Sequence, residues 1–212
     1  MTEQLEDYIL AHIDAEPQPL QRIDHDTHVQ NIYWHMCSGH LQGRLITMLT
    51  RMVRPQQVLE LGTFSGYSAL CLAEGLPDDN CHVDTIEVDD EQEDFIREHL
   101  AKSPYGKRVS LHIGDARDVA PQLDKLYDLI YIDANKRQYV EYYELAMDYL
   151  KPGGFMIADN TLWAGKVVDE KAQNEAQTRG IIAFNDRVAH DNRVNKVIIP
   201  LRDGLTLIYK KP

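Results

Sequence analysis

Several things are scarce in this chain, and each scarcity removes a class of explanation. There are only three cysteines, Cys37, Cys71 and Cys81, an odd number with no C-x-x-C spacing. That favours reduced, packing thiols over a disulfide framework or a cysteine-rich zinc site. Basic residues are few, 22 Lys and Arg against 34 Asp and Glu, for a net charge of −12. Such a balance gives no general electrostatic pull toward nucleic acid or an anionic membrane. No apolar run approaches the length of a membrane span, and the acidic opening Met-Thr-Glu-Gln-Leu-Glu-Asp lacks the apolar segment of a signal peptide. The expectation is a soluble, cytoplasmic protein. Internal repeats, low-complexity stretches and breaks in composition are absent too.

What is present is an ordinary globular composition, 43% hydrophobic over 212 residues, enough for one well-buried unit. We expect a single domain, 1–212, with a helical cap over 1–54 and an α/β core over 55–212. Leu5, Tyr8, Ile9, Leu10 and Ile13 recur at helical spacing, Pro17 and Pro19 end that helix, and a polar segment leads to about Val29. A second helix is expected over 40–53. Beyond it, β-rich runs near 57–61, 82–88, 108–113, 127–132 and 154–158 alternate with helical stretches near 67–75, 90–102, 116–122 and 137–150. A further helix is expected over 176–190, and then 194–201 and 205–210 flank Arg202-Asp203-Gly204 as an antiparallel hairpin. Strand–helix alternation means a doubly wound, Rossmann-like, mostly parallel sheet, here of seven strands with the hairpin at its edge.

Ligands in such sheets bind beyond the carboxyl ends of the strands, and here those ends are polar. They carry Glu60, Glu87, Asp115, Asp133 and Asp159-Asn160. The first lies in Glu60-Leu-Gly-Thr-Phe-Ser-Gly-Tyr-Ser68, where Gly62 and Gly66 frame the turn from strand to helix. Such glycines let a ligand approach the backbone and the free N–H groups of a helix start. The spacing is not G-x-G-x-x-G, and a carboxylate beside the loop would repel a pyrophosphate. It suits the α-ammonium of a methionyl group, as in S-adenosylmethionine (SAM). Glu87, 21 residues beyond Gly66, stands near the offset at which an acid reaches ribose hydroxyls. Asp115, Ala116 and Arg117 fall where an adenine edge would lie, and Asp115 equally suits a helix N-cap. Asp133, Asp159 and Asn160 offer hard oxygen ligands for Mg²⁺, Mn²⁺ or Ca²⁺; Asp159-Asn160 also reads as a turn.

Together these motifs resemble the cation-dependent, class I SAM-dependent O-methyltransferases of the catechol and caffeoyl-CoA type, over roughly residues 33–212. The resemblance rests on Glu60–Ser68, Asp133-Ala-Asn-Lys136 with Tyr139, and Ala158-Asp-Asn-Thr-Leu-Trp163. Lys151-Pro-Gly-Gly154, Asp191-Asn-Arg-Val194 and Asp203-Gly204 add to it. It implies that Asp133, Asp159 and Asn160 hold a divalent metal, with Asp133 also near the cofactor's amino group, and that Lys136 is the general base. Glu60, Gly62, Ser68, Glu87, Asp115 and Ala116 would line the cofactor pocket, with Met36, Cys37 and Ser38 over its methionyl part. Cys37 stands where some relatives carry a polar residue, and Ala116 where some place a serine. A homodimer is implied as well.

The chemistry implied is methylation of one hydroxyl of a vicinal aromatic diol, such as a phenolic acid or caffeoyl ester. A phenol with a pKa near ~10 needs help to ionise at neutral pH, and a metal stabilises the phenolate while Lys136 accepts the proton. Lys166, Lys171 and Arg179 border the polar loop 164–178 and could contact an acidic acceptor; Trp163 suits either ring stacking or a buried anchor. Two other readings keep the cofactor pocket: methylation of hydroxyuridine in tRNA, against which the net charge counts, and a binding module without turnover.

Overall fold

The computed structural model describes residues 2–212. Its strands are β1 (Gln57–Leu61), β2 (His82–Glu87), β3 (Val109–Ile113), β4 (Tyr127–Ile132), β5 (Leu150–Asp159), β6 (Val194–Ile199) and β7 (Leu205–Lys210). They form one sheet in the order β3-β2-β1-β4-β5-β7-β6. β1 to β5 run parallel, whereas β7 is antiparallel to both β5 and β6. The helices are α1 (Glu3–Leu10), α2 (Gln18–Gln30), α3 (Gly39–Val53), α4 (Tyr67–Gly75), α5 (Glu93–Lys102), α6 (Ala116–Val119), α7 (Tyr139–Tyr149) and α8 (Ala176–Ala189).

The central strands are apolar on both faces because both are covered. On one side Leu59, Leu61, Ile130, Ile132 and Met156 pack against Tyr139, Tyr143 and Phe184 of α7 and α8. On the other, Val58, Leu129, Tyr131 and Ile157 meet Leu20, Ile46 and Leu70 of α2, α3 and α4. The alternation along β4, Leu129 and Tyr131 one way, Ile130 and Ile132 the other, follows from the two-residue period of a strand. The strand order reverses between β1 and β4, which opens a crevice at their carboxyl ends.

The structure departs from the expected elements in four places. The segment before Val29 is helical, α2, because Pro17 and Pro19 start a helix there as N-cap and an early helical residue. Leu20, Ile23 and Thr27 form its buried stripe. β5 begins at Leu150, so the turn-like Lys151-Pro-Gly-Gly154 lies inside a strand whose pairing with β4 is irregular between Tyr127 and Leu129. The stretch 116–122 is one α-helical turn followed by a 3₁₀ turn over Ala120–Leu123, with Pro121 early in the latter. The loop after Asn160 holds a 3₁₀ segment, Trp163–Val168, broken by left-handed Ala164 and Gly165. As for the cap, α3 packs on α4, whereas α1 leaves Leu5 and Tyr8 exposed.

Candidate active site

The strand ends are stitched to one another by backbone hydrogen bonds. Gly62 N–H donates to Ile86, Asp133 N–H to Leu61, and Gly114 N–H to Glu87. This brings the loops after β1, β2, β3 and β4 to a common level. Gly62 has φ +94°, and a Cβ there would lie 2.1 Å from the carbonyl oxygen of Asp133, so the loops after β1 and β4 touch backbone to backbone. Gly66, at φ +87°, turns the chain into α4. Left-handed backbone at non-glycine residues gathers at this end as well: Phe64 after β1, Asn160, Trp163 and Ala164 after β5, and Arg202 before β7. Such strain is held only where the surroundings enforce it, and it clusters at functional sites.

Glu60 is fully buried, and its Oε2 accepts a 2.5 Å hydrogen bond from Thr85, whose hydroxyl also meets that of Thr63 at 2.6 Å. Its Oε1 has no partner. Burial above all pushes this carboxyl up to about 8; the Ser68 and Thr85 hydroxyls draw it partly back, and the charges of Asp133 and Glu87 raise it further. A buried carboxylate with one unsatisfied oxygen is the complement of an ammonium, which fits the methionyl end of SAM. Glu87 supports the same loop, since Oε2 accepts from the N–H groups of Thr63 (3.1 Å) and Phe64 (2.7 Å) and Oε1 from Asp89 (2.9 Å). Asp115 is the N-cap of α6, accepting from Arg117 N–H at 2.9 Å; the Arg117 guanidinium beside it holds the carboxyl down at about 2. Ala116 is buried beside it. Before α3, Cys37 and Ser38 are buried while Met36 is half exposed. Burial pushes the Cys37 thiol up to about 12, which makes it unreactive.

At the ends of β4 and β5 a second cluster forms. Lys136 Nζ donates to Asp133 Oδ1 at 2.6 Å and to the Tyr139 hydroxyl at 2.8 Å, and Tyr139 in turn donates to the carbonyl of Asp159 at 2.9 Å. Lys136 is buried, for α8 closes on it at Gly180, where a Cβ would lie 2.2 Å from the Lys136 carbonyl oxygen. The Asp159 side chain is held from two sides: Gln42 of α3 donates to Oδ2 at 2.5 Å and Tyr131 at 3.1 Å, while the Asn160 N–H donates to Oδ1 at 2.6 Å. Burial raises the Asp159 carboxyl above its usual range, the negative charge of Asp133 adds to this, and Lys136 opposes it. A divalent cation would relieve that repulsion, and two carboxylates with the Asn160 amide form an all-oxygen set suited to one. Among the described residues no three His, Cys, Asp or Glu side chains gather to hold a metal.

Gln42, Tyr131 and Gly180 were not among the residues singled out by sequence, whereas Tyr139 was, beside the Asp133-Ala-Asn-Lys136 motif. Two of the three cations bordering the 164–178 loop are engaged elsewhere: Lys166 pairs with Glu175 at 2.7 Å, and Arg179 donates to the carbonyl of Asn174, while the Lys171 side chain makes no ion pair among the described residues.

A glycine-framed acidic loop at a topological switch, beside a buried lysine and carboxylate pair, marks a candidate ligand site at the strand ends of a doubly wound sheet. The family described as O-methyltransferase matches residues 11–211, and the chain belongs to it. A probable caffeoyl-CoA O-methyltransferase 2 of Dictyostelium discoideum is 31% identical over 187 residues, 85% of this chain and 80% of that protein. A catechol O-methyltransferase of Niastella koreensis is 31% identical over 179 residues, 80% of each chain. Among solved structures, the O-methyltransferase TomG of Streptomyces achromogenes, in complex with SAM, superposes with a TM-score of 0.91 at 26% identity over the whole of both chains. An O-methyltransferase of Bacillus cereus, in complex with SAH, gives 0.90 at 26% identity, covering 98% of this chain and 97% of that one.

Proposed function

We propose that this O-methyltransferase takes its methyl group from SAM and delivers it to one hydroxyl of a vicinal aromatic diol, with a divalent cation held by Asp133, Asp159 and Asn160. The observation that carries the reading is the buried Lys136 Nζ, 2.6 Å from Asp133, in the same cluster as Asp159. The family membership and the names of the relatives agree with it. When bound, the cation stabilises a phenolate. Lys136 Nζ takes the proton released by the acceptor hydroxyl, and Tyr139 holds that nitrogen in place. Glu60, the 62–66 loop and the start of α4 hold the cofactor's polar end, so the transferable methyl and the acceptor oxygen meet in line; such positioning supplies much of the acceleration.

The test is release of S-adenosylhomocysteine (SAH) with caffeic acid, caffeoyl-CoA and catechol, each with Mg²⁺ and with EDTA. Turnover abolished by EDTA supports the reading. Turnover that EDTA leaves intact would remove the metal from it, and none at all would favour tRNA or a module without catalysis.

We also propose the homodimer that the resemblance implies. One face is suited to it: Met52 of α3, Phe155 of β5 and Val197 and Ile198 of the edge strand β6 are all exposed. Burying an apolar edge strand against a second copy removes its aggregation hazard. Sedimentation of wild type against Val197→Glu reports on it, and a monomeric wild type would end it.

A further inference from the structure

The chain carries an excess of acid, and most of the cations near its core are paired. Lys151 meets Asp128, Arg187 and Arg193 meet Glu144 and Asp191, and Arg44 meets Glu74. Arg202 differs. Among the described residues no carboxylate lies within salt-bridge distance of it, and its single side-chain hydrogen bond runs from Nη1 to the carbonyl oxygen of Cys37, at 3.1 Å. It is exposed and sits at φ +47°, a left-handed conformation that glycine would adopt at lower cost.

Its position ties it to the site. Arg202 belongs to the turn between β6 and β7, closed by Gly204 N–H donating to Leu201. The next two carbonyls of that turn accept from the loop directly after Asp159-Asn160: Asp203 from Leu162 (2.7 Å) and Trp163, Gly204 from Thr161 (3.1 Å). On the other side, Nη1 lies 3.6 Å from where a Cβ on Gly39 would stand, three residues before Gln42, which bonds Asp159. The guanidinium thus bridges the loop after β5 and the start of α3, at the rim of the cluster containing Asp159. A guanidinium has five N–H donors, and one is used. The remainder form a planar fork matched to a carboxylate or phosphate.

We propose that Arg202 determines acceptor specificity by binding an anionic substituent, a carboxylate or a phosphate, on the aromatic diol. The proposal rests on the diol reading given above. It replaces Lys166 and Arg179, whose side chains are occupied, as the cation for an acidic acceptor, and it differs from Lys171 in belonging to a turn hydrogen-bonded to the loop directly after Asp159-Asn160.

The experiment measures binding of 3,4-dihydroxybenzoate and of its neutral methyl ester, by calorimetry, to protein loaded with SAH and Mg²⁺. Wild type, Arg202→Gln and Arg202→Lys are compared, with melting temperatures and SAH affinity recorded for each. The expected result is a fall of about tenfold or more in the acid-to-ester affinity ratio for Arg202→Gln, the size of a charge-assisted hydrogen bond, with most of the ratio kept by Arg202→Lys. SAH affinity is unchanged throughout. An unchanged ratio in Arg202→Gln overturns the proposal, and so does an equal loss for acid and ester. Weakened SAH binding also overturns it, since the fork would then serve the cofactor's own carboxylate. If wild type binds neither acid nor ester, the diol reading fails and the proposal falls with it, an outcome distinct from an Arg202→Gln variant that behaves like a binding-competent wild type.

Discussion

The side-chain amide of Gln42 donates to Asp159 Oδ2 at 2.5 Å, joining the first turns of α3 to the end of β5. With Tyr131 on the same oxygen, this bond fixes the rotation of the carboxylate and leaves Oδ1 facing Asn160. Partners that orient a ligand in this way are worth about 10–100-fold in metal affinity. Gln42→Leu should therefore weaken Mn²⁺ binding by that factor in titrations of the SAH-loaded protein. Wild-type affinity in the variant would show that Asp159 needs no such support.

Lys136 Nζ, bonded to Asp133 and Tyr139, is the base of the proposed mechanism. Lys136→Ala should lower kcat by about 10²–10⁴, the usual worth of a general base, with SAH affinity retained. A variant turning over at the wild-type rate would remove the lysine from the mechanism.

Glu60 makes stability depend on pH in a definite direction. Burial raises its carboxyl from 4.5 to about 8 in the folded protein. Between those values the folded state keeps a proton that the unfolded chain has released, so its contribution to stability is lost as pH rises through that window. Glu60→Gln abolishes this dependence. Melts of the cofactor-free proteins should favour the variant increasingly from pH 5 to pH 9, although it binds SAH more weakly. A constant difference between the two melts across that range would contradict the assignment.

Gly62 admits no side chain, with the Asp133 carbonyl oxygen 2.1 Å from the position of a Cβ and φ at +94°. Gly62→Ala should cost about 2–4 kcal/mol in urea unfolding, in the range of overpacking combined with a forbidden backbone, and should remove cofactor binding. Near-native stability would mean that the β1 and β4 loops can part.

The glycine loop after β1 and the acids at the strand ends were legible because their pattern is local in sequence. Glu60, Gly62 and Gly66 sit in one loop, and the acids at the strand ends follow from strand–helix alternation. Gln42 was not legible. It lies on a helix whose buried stripe also includes Thr47 and Thr50, and nothing in that spacing marks a residue bonded to a strand 117 positions away. Helix α2 was hidden because its buried stripe is only Leu20, Ile23 and Thr27, and because proline reads as a terminator when it stands at a helix start. Gly180 illustrates a third kind of blindness: its role is the room it leaves for the backbone of Lys136, and absent atoms leave no pattern.

The antiparallel seating of β7 also bears on the order in which the protein is made. Leu205 pairs with Asp159, Gly204 and Thr206 bond to Thr161, and Asp203 bonds to Leu162 and Trp163. All the cofactor-side residues leave the ribosome well before these partners, so β5 waits with an unpaired edge until residues 202–210 follow. The loop after Asn160 thus takes its backbone partners from the last residues of the chain to be made. A message interrupted before codon 203 would leave the edge of β5 unpaired and the loop after Asn160 without the backbone partners that hold it.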